Sequence, residues 1–333
     1  MHAAPSLSGR SVVVTGAGGF IGSHLVERLV ADGARVRAFV RYNGRGDRGN
    51  LELVAPETLA EVEVLFGDLR DPWSVEKAVA EQDVVFHLGA LIAIPYSYQA
   101  PADVLATNVG GTLAVLQAAL RRDGTRVVHT STSEVYGTAE TVPINERHRL
   151  HAQSPYAASK VGADQLALSF HLSFGLPVAT VRPFNCFGPR QSARALVPTV
   201  ITQALFADEL KLGALDPTRD LTFVSDTVDA FVRASLSDAA LGEVMNIGTG
   251  SDVSVRRVVE RVLALVGRDL PIRHDPARVR PDRSEVKQLV CDSTAARRII
   301  GWEPRHSLDE GLRKTIDWVA AHPDRYRTGE YAT

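Results

Sequence analysis

The chain has 333 residues, 45% of them hydrophobic and 23% charged, with 37 Lys+Arg against 39 Asp+Glu and two cysteines. It is longer than one ordinary domain and shorter than three. A formal charge of -2 provides no positive excess to neutralise a phosphate backbone, which excludes nucleic acid as the main partner. Cys186 and Cys291 lie far apart and form neither a disulfide framework nor a CxxC motif, as expected in a reducing cytosol. The first ten residues lack a basic n-region and an apolar h-region, and the apolar stretch 88–95 is too short to cross a bilayer. The expectation is a cytoplasmic protein with no membrane partner.

Val12-Val13-Val14 reads as a short strand, followed after a glycine-rich turn by Ile21, Leu25 and Leu29 at helical spacing and by Gly33 as a stop. Further strands are predicted over 35–40, 62–66, 84–88, 126–131 and 178–182. Helices are predicted between most of them, one opened by Asp71-Pro72 and others over about 103–122 and 155–174. Strands this apolar alternating with helices imply an α/β fold, a parallel sheet covered on both faces. After about 183 the alternation loosens. A helix near 196–207, a strand over 243–247, a helix near 254–267 and a last helix opened by the capping box Ser307/Glu310 follow. The predicted organisation is a dinucleotide-binding domain of 1–183 plus about 224–250, with 184–223 and 251–330 forming a smaller α/β substrate-binding region.

Residues 15–22 read TGAGGFIG between the first strand and first helix. In this context Gly16 permits the tight turn, Gly19 the approach of a pyrophosphate to helix N-terminal N–H groups, and Gly22 close packing. Phe20 and Ile21 in the same turn join the predicted cofactor contacts, and the sheet is expected to be of the Rossmann doubly wound type. The second strand ends Val40-Arg41-Tyr42-Asn43, without the carboxylate that receives ribose hydroxyls in NAD-binding versions. Arg41, with Asn43 beside it and Arg45 and Arg48 in the same loop, suits a 2′-phosphate, so NADP is favoured and NAD is the alternative. Asp68 and Leu69 after the third strand are placed for adenine. Leu88 and Ala90 after the fourth are placed for the pyrophosphate and ribose.

Thr132, Ser133 and Glu134 follow the fifth strand and should enter the same crevice. Tyr156 and Lys160 stand four apart on one helix face. A tyrosine is a poor base near neutrality, and a neighbouring ammonium favours its phenolate. Tyr156 would then take a proton from a hydroxyl while hydride leaves the same carbon, with Tyr156 and Lys160 both touching the cofactor. His148/His151 has suitable spacing in isolation but reads as a polar loop with no third ligand nearby, and no HExxH helix motif is present, so no metal is expected.

TGxxGxxG, STSEVYG, SPYAASK and RPFNCFGP together resemble the extended short-chain dehydrogenase/reductases that act on nucleotide sugars. The strongest resemblance is to the 4,6-dehydratases, notably the subgroup assigned to UDP-N-acetylglucosamine in legionaminic-acid-type pathways; GDP-mannose 4,6-dehydratases are also similar. The resemblance implies an internal redox cycle: oxidation at C4 with Tyr156, Thr132 and Lys160, proton removal from C5 by Glu134, loss of water from C6, and return of hydride to C6. The cofactor would be tightly bound and regenerated each turnover. One departure is Ser133, where dTDP-glucose dehydratases carry an Asp; the GDP-mannose pattern has Ser-Glu here too. The resemblance further implies Asn185, Arg219 and Arg280 at the diphosphate, Val197 and Lys211 at the base, and Ile94 and Tyr96 at the hexose. It also favours a homodimer built as a four-helix bundle from helices 103–122 and 155–174, which carry Leu113, Leu116, Leu166 and Phe170. The competing readings are a UDP-glucuronate decarboxylase, a 4-epimerase, elimination to a 5,6-unsaturated sugar, and a non-catalytic NADP-binding regulator. Retention of Thr132, Glu134, Tyr156 and Lys160 together speaks against the last.

Overall fold

The computed structural model describes residues 6–276, 286 and 288–326. Arg280 lies outside the described residues. In chain order the strands are β1 (Ser11–Thr15), β2 (Arg35–Arg41), β3 (Val62–Gly67), β4 (Val84–His87), β5 (Arg126–Thr130), β6 (Val178–Pro183), β7 (Asn185–Phe187), β8 (Leu210–Leu212), β9 (Thr218–Phe223), β10 (Val244–Ile247), β11 (Asp252–Ser254), β12 (Ile272–His274) and β13 (Gln288–Leu289). Seven of them form one parallel sheet in the order β10-β6-β5-β4-β1-β2-β3. This is a Rossmann-type sheet. A smaller sheet, β11-β9-β13 with β7 also on β9, and the pair β12-β8 are built from residues after β6, on either side of β10 in sequence.

Alternation along each strand separates two apolar layers. Val12 and Val14 point to the layer holding Leu25 and Leu29 of the first helix, Phe20–Ala31. Val13, Val85 and Val127 point to the opposite layer, with Leu116 and Phe170. Helix ends follow local chemistry. The Asp71 carboxylate accepts from the N–H groups of Trp73 and Ser74 with Pro72 at the first helical position, and Ser307 and Glu310 form the expected capping box. Ser154 caps the helix Pro155–Phe174, which Gly175 ends in the left-handed region at φ 70°.

The helix expected over 103–122 is instead continuous from Pro101 to Leu120 and interrupted by a π turn at Ala106–Gly110. The buried Asn108 amide explains it: its oxygen accepts from Leu91 N–H at 2.7 Å, and its nitrogen donates to Leu91 O at 3.0 Å and Ser159 Oγ at 2.9 Å. These 20 residues are apolar and long enough to cross a membrane by length and composition, yet they pack against the helices Pro72–Val79 and Pro155–Phe174. Leu116 and Phe170, expected on a dimer face, are buried in the protein's own core, at 1% and 8% exposure.

Candidate active site

The strand order reverses between β1 and β4, so their following segments diverge and leave a crevice at the carboxyl ends of the two strands. Side chains join those ends. Thr112 donates its hydroxyl to Asn108 O at 2.6 Å, so His87 Nε2 donates to Thr112 Oγ1 at 3.0 Å and Nδ1 accepts the Thr15 hydroxyl at 2.8 Å. Thr15 Oγ1 in turn accepts the N–H of Gly89 at 3.0 Å. Burial first, and then the nearby His129 ring and the Lys160 ammonium, hold the His87 pKa well below the usual value, which favours the neutral ring this relay requires.

The glycine turn closes on this junction. Gly16 has φ +70°, and a Cβ there would lie 2.8 Å from Gly89 Cα; a Cβ on Gly22 would lie 2.2 Å from Gly16 O. Gly19 precedes the first helix without any side-chain cap, which leaves the N–H groups of Phe20 and Ile21 suited to an anion. Gly18, to which the sequence reading gave no role, lets the loop after β2 lie on the turn, since a Cβ there would be 2.7 Å from Arg48 O.

A cleft of about 720 Å³ runs from this turn past Leu88, Ala90 and Ile94 to Thr132, Ser133, Glu134, Tyr156 and Asn185. A smaller recess of about 120 Å³ adjoins Asp68 and Leu69, and Arg41 borders both. In the recess Arg70 holds Asp68 through bonds of 2.9 and 2.6 Å and Asp103 at 2.8 Å. That guanidinium keeps the Asp68 pKa down at about 2. Asn43 lines the cleft but spends its amide on the loop, accepting from Arg45 and Asp47 N–H and donating to Asp47 O. Arg48 is engaged by Glu52 at 2.8 and 2.9 Å, which removes it from the expected phosphate contacts.

Thr132 caps the turn Ser133–Tyr136 by accepting from Glu134 N–H at 3.3 Å, and its hydroxyl lies beside the Tyr156 phenol in the cleft. Lys160 donates to Thr130 O at 2.6 Å. Burial draws the Lys160 pKa down to about 8, with the Asp164 charge opposing. The sequence reading expected Lys160 to favour a Tyr156 phenolate. In the protein alone burial first, and then the charges of Glu134 and Asp164, push the phenol upward, with the Thr132 hydroxyl opposing.

Several predicted substrate residues are placed elsewhere. Tyr96 donates to Asp103 Oδ2 at 2.8 Å and does not line the cleft. Val197 is 2% exposed in the core, Lys211 is exposed beside Glu209, and Arg219 on β9 donates to Thr218 O. Gln191 and Ser192, unassigned from sequence, do line the cleft. Three buried oxygens there, Thr130 Oγ1, Asn185 Oδ1 and Gln191 Oε1, have no hydrogen-bond partner. Such groups are costly unless a ligand or water meets them. With the glycine cradle they fit a phosphorylated dinucleotide and a polar co-substrate.

A family model described as GDP-mannose 4,6-dehydratase matches residues 13–315. The chain belongs to this family. Among its relatives, a dTDP-glucose 4,6-dehydratase of Xanthomonas campestris pv. campestris is 34% identical over 92% of both chains. A UDP-glucose 4-epimerase of Mycolicibacterium smegmatis is 36% identical over 92% of this chain and 97% of its own. The solved structure of the dTDP-glucose 4,6-dehydratase DesIV from Streptomyces venezuelae, with NAD bound, aligns with a TM-score of 0.85 at 28% identity over 95% of this chain and 99% of that one. As a member of the extended short-chain dehydrogenase/reductases that act on nucleotide sugars, the protein is an enzyme that uses a nicotinamide cofactor.

Because the Gly22 position has no room for a methyl group, Gly22→Ala should displace the turn and weaken dinucleotide binding by about tenfold or more, measured by calorimetric titration. Unchanged affinity would remove this turn from the cofactor site.

Proposed function

We propose that the protein is a nucleotide-sugar 4,6-dehydratase acting on UDP-N-acetylglucosamine. The observation that carries this reading is Glu134 lining the same cleft as Thr132 and Tyr156. Epimerisation at C4 has no C5 proton to remove and gives that carboxylate nothing to do, whereas dehydration needs it. Ser133 in place of an aspartate leaves Glu134 as the one carboxylate of the segment, which supports a UDP or GDP sugar over dTDP-glucose.

A bound nicotinamide dinucleotide supplies the acceptor for the C4 hydride and the donor for C6, and in its oxidised form a positive charge that lowers a neighbouring phenol's proton affinity. The remaining work falls to the chain. Tyr156, oriented by Thr132, takes the O4 proton. The ketone formed at C4 acidifies C5, and Glu134 removes that proton and delivers it to the departing C6 hydroxyl, which leaves as water. Hydride return to C6 then gives an enolate that takes up a solvent proton at C5 through Glu134, while the O4 proton held by Tyr156 is released to solvent. Lys160, anchored on Thr130 O, keeps a positive charge beneath the site. Ile94 borders the hexose, and Asn185 supplies a polar contact to the diphosphate. Arg219 and Arg280 remain proposed diphosphate residues, and Val197 and Lys211 proposed base-pocket residues, on the resemblance alone.

Incubation with UDP-GlcNAc, UDP-glucose, UDP-glucuronate and GDP-mannose, followed by mass spectrometry, should give loss of one water from UDP-GlcNAc. Loss of carbon dioxide from UDP-glucuronate, with the others inert, would replace this reading by decarboxylation. Glu134→Gln should still permit C4 oxidation while abolishing solvent deuterium exchange at C5; persistent exchange would show that another group is the base.

NADP is the proposed cofactor, with Arg41 at its 2′-phosphate. Arg41→Ala should then lower NADP affinity about tenfold and leave NAD affinity within about twofold. Equal losses for both would assign Arg41 to the shared part of the cofactor. A homodimer through the helices Pro101–Leu120 and Pro155–Phe174 completes the proposal, supported by Leu105 and Leu172, which they leave exposed. Light scattering should report twice the 36.0 kDa of one chain, and a value of one chain would exclude the bundle.

A further inference from the structure

Beneath the cleft lies a buried polar cluster to which the reaction described so far assigns nothing. Its centre is Asp164, which follows Tyr156 and Lys160 at the same four-residue interval and so continues their stripe along the helix. The carboxylate is 3% exposed. It accepts from His129 Nε2 at 3.0 Å, Ser131 Oγ at 2.6 Å and Arg182 Nη2 at 2.8 Å. Arg182, on β6 and equally buried, also donates to Ser131 Oγ at 3.2 Å and to Tyr136 Oη at 2.6 Å. The Tyr136 hydroxyl in turn donates to Asn246 Oδ1 on β10 at 2.8 Å.

The two ends of the segment Ser131–Tyr136 are therefore tied to one ion pair, with Thr132, Ser133 and Glu134 suspended between them. A buried pair of this kind is weak evidence of a stabilising purpose, since two charges lose more hydration than their attraction returns unless every bond is made. Here the bonds end on the residues that bracket the proposed catalytic groups, and the carboxylate is the negative group next along the stripe from Lys160. We propose that Asp164 is a positioning residue for the reaction: with Arg182 it fixes both ends of the catalytic segment, and it is the counter-charge of Lys160. The first part rests on the dehydratase reading, whereas the second does not.

The other groups facing Lys160 do not supply that counter-charge. Burial raises the pKa of the Tyr156 phenol on its own helix, and His87 on β4 and His129 on β5 are imidazoles, which carry no negative charge in either protonation state. Burial alone would raise the Asp164 pKa, but the bonds from His129 and Ser131 and the Arg182 charge outweigh it and keep the group ionised. Lys160, drawn down to about 8 by burial, is held up against that by Asp164. Removing the charge must move Lys160 further toward the neutral amine.

The chain has only five lysines, Lys77, Lys160, Lys211, Lys287 and Lys314, so ¹³Cε-lysine labelling gives a readable NMR spectrum in which Lys160→Arg identifies the Lys160 signal. In the cofactor-loaded protein, Asp164→Asn should lower the Lys160 titration midpoint by about one pH unit or more. Should that variant fail to fold because Arg182 is left unpaired, Asp164→Asn with Arg182→Met removes both charges and should show the same displacement. An unchanged Lys160 midpoint overturns the proposal whatever the activity. Tyr136→Phe releases one anchor and leaves the charges in place: kcat should fall about tenfold with KM within about twofold and the Lys160 midpoint unmoved. Native kcat in Tyr136→Phe overturns the anchoring role. If the native protein turns over no nucleotide sugar, the dehydratase reading falls, and the Lys160 midpoint still decides the counter-charge.

Discussion

The Thr15 hydroxyl, at the end of β1, is bonded to His87 at the end of β4 and to the N–H of Gly89 just beyond it. This junction stands where the strand order reverses, the place where helices leave a parallel sheet toward opposite faces and a gap must open. The gap is useful only if its floor is rigid. The Thr15 hydroxyl proton and both ring nitrogens of a neutral His87 are paired in that floor, and the glycine turn approaches Gly89 at a distance which admits no side chain. The cofactor turn, the recess at Asp68 and the polar wall at Thr132 are all referred to this point.

A second polar layer, centred on Asp164 and Arg182, continues the pattern one strand further along the sheet. Apolar residues of the same volume would fill such space at no electrostatic cost. What they lack is direction: a carboxylate with three donors and a guanidinium with three acceptors admit one arrangement of β5, β6 and the Tyr156 helix. The chemistry of the cleft thus stands on a base of directional bonds, while the flanking layers of Val, Leu and Ala provide the non-directional bulk of the core.

The near-zero net charge takes on a different meaning in this light. Most of the arginines near the cofactor region are committed to a carboxylate: Arg48 to Glu52, Arg70 to Asp68 and Asp103, Arg190 to Glu27. Arg41 lines the cleft at the end of β2 without an ion pair among the described residues. A balanced composition is therefore a record of local pairing.

Sequence by itself determined what local rules control. The strand and helix order follows from the period of apolar positions, the helix starts from Asp71, Ser154 and Ser307, and the cofactor turn from three glycines whose spacing has one use between a strand and a helix. That Thr132, Glu134 and Tyr156 line one cleft was legible because they stand at a strand end or at helical intervals, where backbone geometry dictates direction; Asn185, which lines it too, was reached through the resemblance. Only the tertiary structure decided the rest. Tyr96 bonds Asp103 instead of facing a sugar, Val197 belongs to the core, and Arg48 is consumed by Glu52, because each outcome depends on which partner another segment brings within 3 Å. Asp164 stands at helical spacing from Lys160, yet a carboxylate on a helix is ordinarily a solvated one. Burial beneath β5 and β6 makes it otherwise, and burial is a property of the assembled layers that no local stretch of residues carries.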